Sequence, residues 1–508
     1  MVERRSEGVI LALESSGQQN PARVKGPCVI DAHVCGEGVW PVPEEEGLDQ
    51  PGESVSPPAG SVGGSARARR RADGLTALQA LRRVLYRCAK QDPARRFHAL
   101  YDKLTRSDVM WRAWCDVAAN RGAPGVDGIT IESIASEGAE GVRAFLGELA
   151  DRIQSGCCRP APLRRVYIPK PGCPGEHRPL SIPTVADRVV MSAAKLVLEP
   201  IFEADFLPVS FGFRPKRSAH DALEVVRVEA NRGWDWVLDA DVADCFGSLD
   251  HEVVMNQVAR RVSDRRMLKL IRAWLRVGIL DRGVVKTSVS GTPQGSPISP
   301  LLANIALHVL DERWVAEFAG LGVLVRYCDD FVIMCSSQSR VEEARRRVEG
   351  ILSALGLRLH PDKTRIACLA RGQDGFVFLG FSHRKVRSWK SSDRYFLQKW
   401  PSDRNMALIR SKIKAATGRN QVSRPVSMVV KDLNPVLRGW GNYFRWGNSA
   451  RKFSAIDSYV HQRLAILANN KEGRRGRNWK KRFTYSWVRS LGIHRLSGTI
   501  RYYRTVHA

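Results

Sequence analysis

Long apolar runs, paired cysteines and a secretion signal are all missing from this 508-residue sequence. No stretch approaches the roughly 18 consecutive apolar residues of a membrane span, and the charged first residues lead into no apolar segment. The 11 cysteines are scattered and include no Cys-x-x-Cys pair, which argues against a disulfide framework or a cysteine-rich zinc site. We therefore expect a protein of a reducing cytosol that does not span a membrane.

Acidic residues are few relative to basic ones, with 52 Asp and Glu against 80 Lys and Arg, for a formal charge of +28. The excess is concentrated in residues 401–508, which hold 23 basic and 4 acidic residues, interleaved with aromatic residues. This combination is typical of a surface that neutralises phosphates and stacks on bases. The alternative is a helical bundle with an aromatic core and a solvated basic face, and one helix can provide both.

Two pairs of acidic residues lie at the ends of apolar segments. Residues 236–242 alternate as a strand does, which places Asp239 and Asp241 on one face. Asp329 and Asp330 separate two apolar runs within residues 324–334, a pattern that predicts a hairpin with carboxylates at its tip. Either pair alone is most often structural. Together, acids on two neighbouring strands can place two Mg²⁺ ions about 4 Å apart, as nucleotidyl transfer requires.

Several motifs follow one another between residues 123 and 443. Tyr327-Cys328-Asp329-Asp330 resembles the Tyr-x-Asp-Asp box of reverse transcriptases, and residues 241–246 with 249–251 resemble their first metal motif. Residues 291–304, which begin Gly291-Thr292-Pro293-Gln294-Gly295, closely resemble the fingerprint of the group II intron enzymes. The series extends from residues 123–128 to residues 438–443. The sequence therefore resembles a group II intron-encoded protein with reverse transcriptase and maturase parts.

This resemblance implies a right-hand polymerase of the α/β (α+β) class, in which fingers and a palm with an antiparallel sheet precede an α-helical thumb. The implied reaction is RNA-templated DNA synthesis, in which a primer 3′-hydroxyl attacks the α-phosphate of a deoxynucleotide with the help of two Mg²⁺ ions. The implied catalytic and metal-binding residues are Asp241, Asp329 and Asp330, with Val242 as a further metal-binding position. The implied nucleotide-binding residues are Lys170, Arg178, Phe246, Gln294 and Lys363.

The turn that carries Gln294 is predicted to be held by a rigid helix. Ser299 is expected to cap this helix and Pro300 to lie in its first turn. Leu302, Ile305 and Ala306 follow at the spacing of a core-facing stripe.

The basic C-terminal region resembles the maturase domain X, also called the thumb. The family resemblance implies that it binds intron RNA and assists splicing. The predicted RNA-binding residues are Arg438, Trp440, Tyr443, Arg474, Arg475, Arg477, Lys480 and Lys481. No cysteine follows Cys368, so we expect a form without the zinc-containing endonuclease domain of many relatives. The implied partners are group II intron RNA, target DNA with its primer, and deoxynucleotides, in the bacterial cytoplasm.

We predict four regions. Residues 1–75 are rich in Pro, Gly, Ser and Glu and are expected to be disordered. Residues 76–158 form N-terminal helices and the start of the fingers, 159–385 the fingers and palm, and 386–508 the thumb and the basic C-terminal segment. Two other functions stay open: a domesticated reverse transcriptase of phage defence or CRISPR adaptation, and a splicing chaperone without polymerase activity.

Overall fold

The computed structural model describes residues 76–169, 175–281, 284–286, 291–293, 295–391, 393–473 and 479–502. The extension predicted to be disordered, residues 1–75, lies outside these ranges. Within them, no helix combines the length and the apolar composition that crossing a bilayer would require.

Helices build the first part of the described chain. They are α1 (Ala77–Gln91), α2 (Ser107–Ala119), α3 (Ile131–Ala135) and α4 (Gly138–Gln154). The first of them begins with a capping box, in which Thr76 accepts from the Gln79 amide while the Gln79 side chain accepts from the Thr76 amide. Such reciprocal bonds satisfy amides that have no partner inside the helix.

Strands and helices alternate through the middle of the chain. In order they are β1 (Leu163–Pro169), β2 (His177–Ile182), α5 (Val185–Glu203), α6 (Ala219–Asn231), β3 (Trp236–Asp241), α7 (Cys245–Ser248), α8 (His251–Ala259), α9 (Arg265–Arg276), β4 (Ile279–Asp281), β5 (Val284–Lys286), α10 (Ser299–Arg313), β6 (Gly322–Tyr327), β7 (Asp330–Cys335), α11 (Gln338–Ala354), β8 (Arg365–Cys368), β9 (Gly375–Phe378), β10 (Phe381–Arg387) and β11 (Tyr395–Pro401). The C-terminal region is helical again, with α12 (Asp403–Ala416), α13 (Val426–Phe444), α14 (Ala450–Lys471), α15 (Trp479–Arg482) and α16 (Tyr485–Ser490).

The strands of the described residues form three sheets. One has the order β2-β1-β4-β5, and the smallest has the order β11-β10-β9. The central sheet has the order β6-β7-β3-β8, and all of its neighbouring strands are antiparallel. The strand predicted at residues 236–242 and the hairpin predicted within 324–334 are both present in this central sheet. The predicted fold class, an α/β polymerase with an antiparallel palm and a helical C-terminal part, is confirmed.

Both faces of the central sheet are buried, each against a different set of helices. Leu238 and Ala240 of β3 belong to a core shared with the N-terminal helices, α5 and α10. Val237 points to the other side, into a core that includes α6, the three-stranded sheet and the C-terminal helices. This opposite orientation follows from the period of two in a strand. The sheet is therefore held as a rigid layer between two apolar cores.

The predicted division between residues 385 and 386 falls inside β10. This strand pairs with β9 over Phe381–Arg384 and with β11 over Phe381–Arg387, so a boundary there would divide a continuous sheet. We propose that the division follows β11, where Ser402 caps α12 by accepting from the Asn405 amide.

Candidate active site

The three predicted catalytic acids lie at the same edge of the central sheet. Asp241 ends β3 and is paired directly with Asp330, the first residue of β7. Asp329 lies in the turn just before β7, and its carbonyl accepts a hydrogen bond from the Val242 amide at 3.2 Å. Two antiparallel neighbours thus bring together residues that are about 90 positions apart in the sequence.

The turn that carries Asp329 has an unusual backbone. Cys328 has a φ of +61°, in the left-handed region that non-glycine residues rarely occupy. Gly212 packs directly against this turn, because a Cβ atom there would lie 2.6 Å from the Cys328 amide nitrogen. The segment around Gly212 is joined to β6 by hydrogen bonds from the Phe211 amide to the Arg326 carbonyl and from the Arg326 amide to the Val209 carbonyl, both 2.8 Å.

A buried ion pair, which was not predicted from the sequence, supports the same turn. Arg326 and Asp311 are both 0% exposed, and Arg326 Nε donates to Asp311 Oδ1 at 2.7 Å. Arg326 Nη1 donates to the Cys328 carbonyl at 3.0 Å and to Asn304 Oδ1 at 3.1 Å. Asn304 in turn donates to the Gly212 carbonyl at 2.7 Å. The guanidinium therefore joins the turn to α10. An arginine inside an apolar strand was the available signal, since such a residue requires a buried partner.

Four acidic side chains lie close enough to influence one another at this edge of the sheet. Burial raises the pKa of Asp330 well above its ordinary value, and the carboxylates of Asp239, Asp241 and Asp329 raise it further. Burial also raises the pKa of Asp329, with a contribution from Asp241. The pKa of Asp239 is raised to about 6 by burial, against the opposing effect of Arg365, whose Nε lies 3.2 Å from Asp239 Oδ2. Such a group of buried acids is stabilised by a nearby cation.

Lys363, a predicted nucleotide-binding residue, supplies one positive charge. Its ammonium contacts Asp241 Oδ2, and its side chain is 60% exposed. Asp241 also accepts through its backbone carbonyl from the His360 amide at 2.8 Å, which fixes the segment before Lys363 against β3. The structure thus brings together Lys363 and the acids. In the described part of the chain, no three metal-ligating side chains are grouped closely enough to surround an ion.

Phe246 lies next to the first acidic motif, in α7. It is half-buried against the core shared with the N-terminal helices. Its carbonyl accepts from the Thr292 amide at 2.6 Å, and the Leu249 carbonyl accepts from the Gly291 amide at 2.8 Å. Gly291 has a φ of +95°, and a Cβ there would lie 2.8 Å from the Gly247 carbonyl oxygen. The start of the fingerprint is therefore fastened to the first metal motif.

The structure corrects the predicted cap of α10. Ser299 is the first residue of this helix, and Ile298 occupies the cap position. The Ser299 hydroxyl instead donates to the Pro293 carbonyl at 2.9 Å, so it holds the turn before the helix. The helix is buried on nearly every side, not along one stripe. Gln294 and Lys170 lie outside the described residues, whereas Arg178 is exposed on β2, opposite Ile168 of β1.

The predicted RNA-binding residues fall into three groups. Arg438, Lys480 and Lys481 have exposed side chains on α13 and α15. Arg474, Arg475 and Arg477 lie outside the described residues. The other two, Trp440 and Tyr443, are half-buried and pack against the core of the C-terminal helices.

Aromatic packing explains the positions of Trp440 and Tyr443. The Trp440 ring lies 4.9 Å from that of Phe444, and the Tyr443 ring lies 5.5 Å from that of Phe381. The Tyr443 hydroxyl also donates to the Leu379 carbonyl at 2.8 Å, so it joins α13 to the turn before β10. The structure gives both rings a packing role, and their contact with RNA stays a prediction.

Comparison with known proteins agrees with this geometry. Residues 168–383 match the family model described as "Reverse transcriptase (RNA-dependent DNA polymerase)". Residues 406–485 match the model described as "Group II intron, maturase-specific domain". The two matched regions contain the three acids and most of the helical C-terminal part, respectively.

Two bacterial proteins and one plant protein are among the relatives. Protein YkfC of Escherichia coli is 35% identical over 346 residues, which cover 60% of this chain and 88% of that protein. The group II intron-encoded protein LtrA of Lactococcus lactis is 37% identical over 42% of this chain and 35% of its own length. Nuclear intron maturase 1 of Arabidopsis thaliana is 37% identical over 21% of this chain and 15% of its own length. The chain thus spans most of YkfC and a smaller part of the other two. It belongs to the family of group II intron-encoded reverse transcriptases with a maturase domain.

Proposed function

We propose that this chain copies intron RNA into DNA at a target site and that its C-terminal region binds the intron RNA and assists its splicing. The pairing of Asp241 with Asp330, with Asp329 in the adjoining turn, carries this proposal. Residence in the bacterial cytoplasm and the identities of the RNA and DNA partners stay predictions.

In this proposal Asp241, Asp329 and Asp330 hold two Mg²⁺ ions, with Val242 beside them, although in the described residues these carboxylates do not by themselves surround one ion. Carboxylate oxygens are the protein ligands that Mg²⁺ takes, usually one or two per ion. Burial, together with the neighbouring carboxylates, raises the pKa of Asp329 and of Asp330, and a bound cation would favour their ionised forms. Two bound Mg²⁺ ions would activate the primer 3′-hydroxyl and stabilise the charge on the leaving pyrophosphate.

The residues around the acids have distinct roles in this proposal. Lys363 contacts Asp241, and its exposed ammonium can turn to the triphosphate of an incoming nucleotide. Phe246 holds the sugar of that nucleotide against the fastened segment 291–293. Arg178 contacts the triphosphate from β2. Lys170 and Gln294, which lie outside the described residues, stay predicted partners of the nucleotide.

Primer extension on an RNA template tests the proposal. We expect Asp329→Asn to lower the rate by at least about 100-fold, because losing even an outer-shell partner of a metal ligand costs about 10- to 100-fold. Binding of the RNA template should change little, because the substitution removes no cation that could bind a phosphate.

Asp102→Asn is the matched control, because it removes one exposed aspartate whose partner is the neighbouring Lys103. It should leave extension unchanged. Full activity of Asp329→Asn, or no extension by the wild-type protein at any Mg²⁺ concentration, would contradict the proposal.

A further inference from the structure

A cavity of about 230 Å³ lies in the C-terminal region, away from the acids of the central sheet. One wall is a face of α14, formed by Ser454, Asp457, Ser458 and His461. These positions follow the helical spacing of three and four residues, so their side chains lie on one side. The other wall comes from α16 and from residues 493–497. None of these residues takes part in the proposed polymerase chemistry.

Hydrogen bonds fix the floor of this cavity in place. The Asp457 carboxylate accepts from the backbone amides of Leu496 and Ser497, both at 2.9 Å. Asn434 of α13 accepts from the His494 amide at 2.7 Å and donates to the Gly492 carbonyl at 3.0 Å. The segment after α16 is therefore held to two helices. Asp457 is the one acidic residue that lines the cavity. Its carboxylate points into the wall, because it accepts hydrogen bonds from these two amides.

An aromatic surface lines one side of the cavity. The Tyr485 ring stacks on that of His461 at 4.1 Å between ring centroids, with an angle of 29° between their planes. His461 is itself fixed, since its Nε2 donates to the Phe483 carbonyl at 2.6 Å. Tyr485 is nevertheless 56% exposed, so part of its ring stays accessible. A rigid, accessible aromatic ring is a surface on which a nucleobase can stack.

Cations surround this aromatic surface. Arg489 and Arg495 line the cavity and are exposed. The ion pairs of the C-terminal helices within the described residues involve other cations, at Arg424, Lys452 and Arg482. A guanidinium without a carboxylate partner is suited to a phosphate, which it can bind through two parallel hydrogen bonds.

We propose that this cavity binds one unpaired nucleotide of an RNA strand, with its base on Tyr485 and its phosphate at Arg489 and Arg495. The inference rests on the proposed binding of RNA by the C-terminal region and assigns it a site. At about 230 Å³ the cavity is smaller than the ~300 Å³ of the smallest pockets for drug-sized ligands, so it would take one nucleotide at most and that only in part. An acidic protein segment would use the two arginines but would have no need of an aromatic ring stacked on His461.

Binding of RNA by the full-length protein tests this site. The probes are a short single-stranded oligouridine and a blunt RNA duplex of the same length. We expect Tyr485→Ala to weaken binding of the single strand by about 5- to 100-fold, which is the usual effect of losing one base-stacking ring. Tyr485→Phe keeps the ring and should stay within about twofold of the wild type. Binding of the blunt duplex, whose bases are already stacked, should not change in either variant.

The arginines are tested through the salt dependence of binding. Each of Arg489→Ala and Arg495→Ala should reduce the slope of log affinity against log salt by about 0.7 for the single strand. Arg346→Ala, which removes an exposed arginine from α11 outside this region, is the control and should leave both affinity and slope unchanged. Thermal melting of every variant shows whether the protein is still folded.

Three results would overturn the site. The first is Tyr485→Ala and Arg489→Ala variants that bind as the control does. The second is an equal loss of single-strand and duplex binding in Tyr485→Ala. The third is an oligoglutamate that displaces the single strand from the wild-type protein but not from Arg489→Ala, since the cavity would then take an acidic segment. Primer extension by the same wild-type preparation is measured separately, so loss of the proposed polymerase function would be distinguished from failure of this site.

Discussion

Arg326 supports the catalytic turn without being one of its acids. Its guanidinium is buried between Asp311, Asn304 and the Cys328 carbonyl, and the same strand leads directly into Asp329. Removing Arg326 would leave Asp311 as a buried, uncompensated charge, which usually costs about 3–5 kcal/mol. A milder substitution is therefore needed to separate an effect on the position of the turn from an effect on the stability of the whole protein.

Asn304→Ala is such a change. It removes the acceptor for Arg326 Nη1 and the donor to the Gly212 carbonyl without altering the charge. Because the turn positions Asp329, we expect the Mg²⁺ concentration for half-maximal primer extension to rise about 10-fold, the lower end of outer-shell effects. The measurement is a Mg²⁺ titration of the extension rate.

Asn231→Ala is the matched control for this prediction. Asn231 also makes a side-chain bond to a backbone group, accepting from the Leu397 amide at 2.9 Å, but far from the turn. Its loss should lower the thermal midpoint without shifting the Mg²⁺ dependence. Equal shifts in both variants would mean that stability, and not the position of the turn, controls the response.

Tyr443 connects two elements, α13 and the turn before β10. Its ring packs against Phe381 and Phe444, and its hydroxyl donates to the Leu379 carbonyl at 2.8 Å. Burial raises the pKa of this hydroxyl, which is the expected result for a phenol that leaves water. Leu379 and Gly380 both have positive φ values, +48° and +78°. The turn that contacts Tyr443 therefore has a backbone conformation that residues other than glycine rarely adopt.

Two substitutions of Tyr443 separate packing from RNA contact. Tyr443→Phe loses one hydrogen bond and should lower the free energy of unfolding by about 1 kcal/mol. Tyr443→Ala also loses the ring and should lower it by about 3–5 kcal/mol, the usual cost of a large aromatic truncation. Denaturant unfolding of the two variants checks these values. If Tyr443→Ala instead keeps its stability and loses only RNA affinity, the residue binds RNA and does not support the fold.

Elements were predictable from the sequence where one local pattern determined them. The strand at residues 236–242 and the hairpin at 324–334 follow from alternation and from an acidic turn between apolar runs. The position of Ser299 did not follow, because its hydroxyl bonds to Pro293 on the preceding turn and not to its own helix. The pairing of Arg326 with Asp311 likewise could not be predicted from the sequence, because tertiary packing alone brings the two residues together. The family resemblance predicted the catalytic acids. The residues that hold these acids in place could not be predicted in this way, because they come from distant segments of the chain.

The core that includes α6, the three-stranded sheet and the C-terminal helices surrounds a buried histidine. His383 of β10 is 1% exposed, and its ring stacks on Phe376 at 4.8 Å. Lys399 of β11 lies directly opposite it in the sheet. Burial, reinforced by the charge of Lys399, lowers the pKa of His383 to about 3. The folded protein therefore holds this imidazole neutral at every pH near neutrality, in the layer that joins the central sheet to the C-terminal helices.

This histidine should make the folded protein sensitive to acid. The unfolded chain binds a proton at His383 below an ordinary pKa of about 6.5, whereas the folded chain does so only near 3. The stabilising contribution is therefore complete above pH 6.5 and is lost as the pH falls towards 3. Between pH 7.5 and pH 5 the loss from this one group is about 2 kcal/mol. Acids with raised pKa values, such as Asp239, act in the opposite direction, so the total profile cannot isolate it.

His383→Phe isolates the contribution of this residue. Phenylalanine keeps a planar ring against Phe376 and does not titrate, so any difference in packing is measured at pH 8 and subtracted. We expect the stability of the variant relative to the wild type to increase by about 2 kcal/mol between pH 7.5 and pH 5. Denaturant unfolding at a series of pH values gives this difference directly, and the acids cancel because both proteins contain them. A difference that does not vary with pH would mean that His383 titrates in the folded protein as it does in the unfolded chain, and that the core around Lys399 admits water.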